Sequence, residues 1–127
     1  MRLSVLPTLE TPAYKQIAGQ ITAQILSGEL PAGFALPPIR TVAKELGVSV
    51  ITVRGAWELL EADGLIETRA GSGCYVAALS PAERDRRRSA ALAEPLAALV
   101  AAAKALGYTA DETARMVKEE WRSGASQ

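Results

Sequence analysis

Chemistry in this chain falls to arginines and hydroxyls, because the usual catalytic and metal-binding side chains are scarce. Histidine is absent, which removes the common general base near neutral pH, the commonest zinc ligand and any serine–histidine pair. Cys74 is the single cysteine, so an internal disulfide and a multi-cysteine metal site are both excluded, and no second thiol is present to resolve an oxidised sulfur. The carboxylates form no convincing cluster, so neither a cofactor nor a metal is expected. What remains is recognition chemistry. Arg40, Arg54 and Arg69 carry planar guanidinium forks that match phosphate oxygens and guanine edges. Ser49 and Thr52 add short hydroxyls three residues apart, and Ser72 and Gly73 sit in a glycine-rich loop.

The elements that must position these groups are readable from spacing. Thr11 and Pro12 open a helix with Thr11 as its cap. Tyr14, Ile17, Ala18, Ile21 and Ile25 recur at three- and four-residue intervals, with Lys15, Gln20 and Gln24 on the other side, until Gly28. The turn-rich stretch that follows contains Leu30, Phe34 and Leu36 in the alternation of a short extended segment. Pro38 begins a second helix with an apolar stripe of Ile39, Val42, Ala43 and Leu46, and Gly47 stops it. Ser49 caps a third, whose inward stripe is Val53, Ala56, Trp57 and Leu60 and whose end is Gly64. Two short helices across a glycine turn make a helix-turn-helix. "LIETR" and "CYVAA", joined by residues 70–73, make a β-ribbon behind it.

That combination is a physical tool for duplex DNA. A helix fits the major groove, its first turn carries most base contacts, and the ribbon reaches the neighbouring groove or backbone. Ser49, Val50, Thr52 and Arg54 then face the groove, and Arg40 meets the sugar-phosphate backbone. The rival reading pairs Arg40 with Glu45 and Arg54 with Glu58, the latter at helical i, i+4 spacing. Net charge is zero, with 6 basic and 7 acidic residues through Ala77 and 8 and 7 after it. DNA affinity must therefore come from the placement of a few cations rather than from bulk charge. Val50 and Ile51 are an odd choice for a leading turn. Three roles are open to them: packing beneath the N-terminal segment, expected mainly of Ile51, contact of Val50 with a thymine methyl in the groove, or a neutral place on the surface.

Beyond Ser80 the composition changes. A charged run, "ERDRRR", leads into an alanine-rich helical pattern with Leu92, Leu96, Leu99, Val100, Ala103 and Leu106, and Pro95 inside it predicts a kink or a junction of two helices. Gly107 ends the pattern. Thr109 and Glu112 form a capping box for a last helix carrying Val117 and Trp121, and the tail "SGASQ" is expected to fray. Two helices cannot hide such a stripe alone, so a second copy is the expected cover. No stretch reaches the ~20 apolar residues of a membrane span, and the N-terminus lacks the order of a secretion signal, so no membrane association and a cytoplasmic location are expected.

"ALPPIRTVAKELGVSVITVRGAWELLEADGLIETRAGSGCYV" resembles the N-terminal domain of GntR-type transcriptional regulators, and the likeness runs over residues 12–77. The remaining residues look like the two-helix C-terminal region of the YtrA subfamily, which supplies dimerisation without a large ligand-binding domain. The resemblance implies an α+β, mostly α fold: an N-terminal arm over 1–11, a winged helix-turn-helix over 12–78 and a helical dimerisation region over 79–127. It also implies a homodimeric repressor on a palindromic operator. Arg40, Ser49, Thr52, Arg54, Gly71, Gly73 and Val76 fall on the family pattern. Pro38, Val50 and Cys74-Tyr75 depart from it, where the family usually has Ser, Arg and Thr-Phe. Any small-molecule effector would lodge at the dimer interface or between the two parts. A protein-interaction module with weak or lost DNA affinity is the rival from another class, and an enzyme is disfavoured by the missing histidines.

Overall fold

The computed structural model describes residues 1–7 and 10–125. Among them lie five helices and one two-stranded sheet: α1 (Ala13–Leu26), α2 (Ile39–Leu46), α3 (Val50–Ala62), β1 (Ile66–Arg69), β2 (Gly73–Val76), α4 (Pro81–Ala105) and α5 (Ala110–Ala125). The architecture is α+β and mostly α. Contacts divide the chain into two compact units, Met1–Asp85 and Arg86–Gln127.

The first unit is built around α3. Val53, Ala56, Trp57 and Leu60 are buried on it, as the three- and four-residue spacing requires, and meet Ile17, Ile21 and Ile25 of α1 and Val42 and Ala43 of α2 in one cluster. Leu65, Ile66 and Val76 close that core from the sheet. Gly47 ends α2 in the left-handed region, φ 68°, where its amide returns to the Lys44 carbonyl and the chain is re-aimed into α3. A β-carbon there would be strained, so a glycine suits this corner. Ser49 caps α3 by accepting the Thr52 amide at 3.0 Å.

Two helix starts differ from the sequence expectation. Thr11 does not cap α1: Pro12 holds the cap position in an extended conformation, with no side-chain bond, and its carbonyl accepts the amides of Lys15 and Gln16. Pro38 likewise caps α2 from outside rather than forming its first turn. Both prolines already have the fixed φ that a cap residue needs.

The N-terminal arm has an order that its apolar pattern does not reveal. Gln16, Gln20 and Gln24 lie one turn apart on α1 and bond the main chain of Leu6, Ser4 and Arg2 respectively. Four helical residues rise about 6 Å and two extended residues span about 6.6 Å, so the two periods match and the arm runs antiparallel along the helix. Arg2 also pairs with Glu29 at 3.2 Å.

The hairpin is antiparallel, with Ile66 opposite Val76 and Arg69 opposite Gly73. The extended segment expected at 34–36 lies along the other side of β2: the Leu36 amide donates to Cys74, and Val76 donates to Phe34, each at 2.9 Å.

In the second unit, Pro95 lies within the continuous helix α4. A helical interior proline removes one backbone hydrogen bond without requiring the helix to end. The capping box forms as its spacing predicts, with Thr109 N–H donating to Glu112 at 2.9 Å and Glu112 N–H to the Thr109 hydroxyl at 3.1 Å. Of the tail expected to fray, residues 123–125 continue α5, and Ser126 and Gln127 lie outside the described residues.

Candidate nucleic-acid interface

The N-terminal turns of α2 and α3 and the tip of the ribbon surround one open hollow of about 410 Å³. Leu36 to Arg40 line it from the start of α2, Val50, Arg54 and Trp57 from α3, and Ser72 to Cys74 from the ribbon. Five of the eight residues expected to contact DNA therefore converge here: Arg40, Val50, Arg54, Ser72 and Gly73. Both arginines are exposed, and no carboxylate among the described residues engages either one. The alternative pairings with Glu45 and Glu58 are thus absent from this structure. Two uncompensated cations beside the apolar side chains of Val50 and Trp57 make a surface suited to a polyanion.

Ser49 and Thr52 stand in the first turn of α3. Their hydroxyls are 2.8 Å apart, and Ser49 also accepts the Thr52 amide. Their demonstrable role is to start the helix. A hydroxyl retains further donor and acceptor capacity, so capping does not use up either group.

Arg69 lies on the ribbon. Its guanidinium sits 4.3 Å from the centre of the Tyr75 ring and 3.3 Å from Glu67. Gly73, directly opposite Arg69, has no side chain, so the guanidinium can lean diagonally onto the ring two residues further along β2. The Tyr75 hydroxyl in turn bonds Ser72 in the loop. Tyr75 is the residue that sequence reading missed, although its alternation with Gly73 across one face was available as a signal. The turn itself closes through the Ser72 amide to the Arg69 carbonyl, with Gly71 at φ 73° and Gly73 at φ 130°.

Ile51 does not lean back onto the domain as expected, and of the two β-branched residues it is Val50 that packs. Val50 is half-buried and packs against the core, whereas Ile51 is 76% exposed. Each residue turns a helix by roughly 100°. Val50 therefore shares a face with Val53 and Trp57, at three and seven residues, while Ile51 falls in line with exposed Arg54 and Glu58.

In the second unit, Leu92, Leu96, Leu99, Val100 and Leu106 of the α4 region are 40–75% exposed, as are Val117 at 43% and Trp121 at 78% on α5, while Ala103 is half-buried. Within the described residues no three or more Cys, Asp or Glu side chains are grouped to hold a metal, and no helix is long and apolar enough to cross a membrane.

A model of bacterial regulatory proteins of the gntR family matches residues 13–76. The chain belongs to that family. The matched residues, within the first unit, carry the family's winged-helix fold. Among relatives, the chain is 43% identical over 72 residues to the probable rhizopine catabolism regulatory protein MocR of Rhizobium meliloti, covering 57% of this chain and 15% of that one. With the HTH-type transcriptional regulator Rv1152 of Mycobacterium tuberculosis it shares 33% over 104 residues, 82% of this chain and 81% of that one. The alignment thus spans a small fraction of the first relative and most of the second. Among solved structures, a GntR family regulator from Listeria monocytogenes superposes with a TM-score of 0.76 at 25% identity, over 87% of this chain and 96% of that one. YtrA from Sulfolobus acidocaldarius, a GntR-family transcription factor, gives 0.57 at 33%, over 73% and 95%. The DNA-binding region of AraR in complex with operator ORX1 gives 0.54 at 30%, over 61% and 99%.

Proposed function

We propose that this GntR-family chain is a YtrA-like homodimeric repressor that acts in the cytoplasm on a palindromic operator. One observation carries the reading: Arg40 and Arg54, without carboxylate partners among the described residues, flank the leading turn of α3 next to the ribbon tip. In docked form, that turn enters the major groove, with Arg54 directed to guanine or phosphate. Arg40 meets the backbone, and Arg69, Ser72 and Gly73 approach the adjacent groove. The AraR complex supports this mode, because a related winged helix holds an operator. The likeness to YtrA supports the short architecture, with an arm over 1–11, a DNA-binding part over 12–78 and a dimerisation part over 79–127. The exposed apolar side chains of α4 and α5, Leu96 and Leu99 among them, are the surface a second copy would cover. A two-fold dimer presents two α3 helices, so the half-sites lie one helical turn or a multiple of it apart. Repression follows from occupancy, since a dimer seated on a promoter blocks access to it.

Gel shift against genomic fragments upstream of the chain's own gene tests the reading. Wild-type protein should retard at least one fragment, and Arg40→Ala/Arg54→Ala should not. Equal binding by the double variant would remove the assigned docking face. No affinity at low salt would favour a protein-interaction module.

A further inference from the structure

Ile51 stands outside every role described so far. Within Met1–Asp85 it is the most exposed large hydrophobic residue among those described, and it lies in the first turn of the helix that the DNA-binding reading puts into the groove. Isolated apolar side chains on a protein surface are ordinary. This one stands in the helix start that the DNA-binding reading employs: Ser49 and Thr52 flank it in the cap, and Arg54 lies one turn further on the same exposed face.

We propose that Ile51 reads a thymine in each operator half-site through the thymine 5-methyl group. The proposal rests on the DNA-binding reading above. The chemistry narrows the choice of base. In the major groove, guanine, cytosine and adenine present hydrogen-bonding atoms, and thymine alone adds an apolar methyl. An isoleucine side chain has no donor or acceptor. Seated over a polar edge it would strip water from that edge and return no bond, which is unfavourable. Seated against the methyl it buries apolar surface on both partners. Val50 presents less surface for this contact, because it is half-buried and packs against the core, whereas Ile51 is 76% exposed. The two residues differ by one step of helix rotation, and that step separates a packing residue from a reader.

The test uses the full chain and an operator selected from random duplexes by the wild-type protein. Each thymine of the half-site is then replaced by deoxyuridine, which deletes the methyl and leaves every hydrogen-bonding atom in place. The wild type should lose affinity about fourfold per half-site at one symmetric position, the loss expected for a buried methyl-sized group. Both half-sites together should cost roughly fifteenfold. Ile51→Ser should be indifferent to the methyl at that position while still binding the selected operator. Wild-type indifference at every thymine would overturn the proposal. So would a methyl preference that survives unchanged in Ile51→Ser, because the reader would then be another residue. Failure to enrich any duplex would remove the DNA-binding reading itself, and the assignment of Ile51 with it.

Discussion

Removing the Arg54 guanidinium should flatten the salt dependence of DNA binding by a countable amount. Each phosphate neutralised by a protein cation releases condensed counterions and contributes about 0.9 to the slope of log affinity against log salt. Arg40 and Arg54 have no carboxylate partner among the described residues, so their charge is not offset locally. A dimer brings two copies of each, and four phosphate contacts give a slope near −3.6. Between 50 and 200 mM salt the wild type should then weaken by roughly 150-fold, and a dimer of Arg54→Ala, with a slope near −1.8, by roughly 12-fold. Arg69 provides an internal comparison. Glu67 lies 3.3 Å from its guanidinium and travels with it to the DNA, so Arg69→Ala should change the slope by less than Arg54→Ala does. Val50→Arg should do the opposite and steepen it, since the long stem can lie along the surface while the charge reaches out. Fluorescence anisotropy on a labelled operator at several salt concentrations measures all four proteins. Equal slopes for wild type and Arg54→Ala would refute the reasoning, because Arg54 would then bear no counterion-releasing contact.

Three further outcomes are expected. Ser49→Ala removes the acceptor for the Thr52 amide and should cost about 1 kcal/mol of stability, read as a lower urea midpoint with an unchanged slope. Gln20→Ala deletes both bonds to Ser4, worth about 1–2 kcal/mol together in an exposed setting; the Ser4 amide should exchange with solvent roughly tenfold faster, while the midpoint of global unfolding moves little. Leu99→Glu sets a charge on the apolar face of α4, where Leu99 is 43% exposed. By sedimentation at micromolar concentration, wild type should have the mass of two 13.4 kDa chains and the variant that of one, and a wild-type monomer would sink the dimer proposal.

Much of the scaffold could be read without coordinates, since its signals are local. Gly47, Ser49 and the pair Thr109–Glu112 act on backbone groups within four residues of themselves, and their types reveal their roles. The stripe Val53, Ala56, Trp57 and Leu60 is a periodicity, and a helix converts periodicity directly into a face. The N-terminal arm escaped because glutamine amides bonding a main chain leave no hydrophobic period to detect. Thr11 misled because a cap residue beside a proline is as plausible a sequence as a proline in the cap itself. Tyr75 was passed over because its partner, Arg69, meets it diagonally across a hairpin whose register depends on the turn.

The assignment of Val50 and Ile51 marks the boundary between the two kinds of information. Side-chain types and spacing establish that α3 begins at this point with two apolar residues in succession. Which of them turns outward depends on the rotation of α3 about its own axis, and that rotation is set by how Val53, Trp57 and Leu60 seat against α1 and α2. The meeting of Arg40, Arg54, Ser72 and Gly73 around one hollow has the same origin. They come from three elements separated by turns, and no pattern along the chain encodes the angles between those elements. Packing of the shared core sets those angles, because close-packed side chains leave few ways for the elements to fit together.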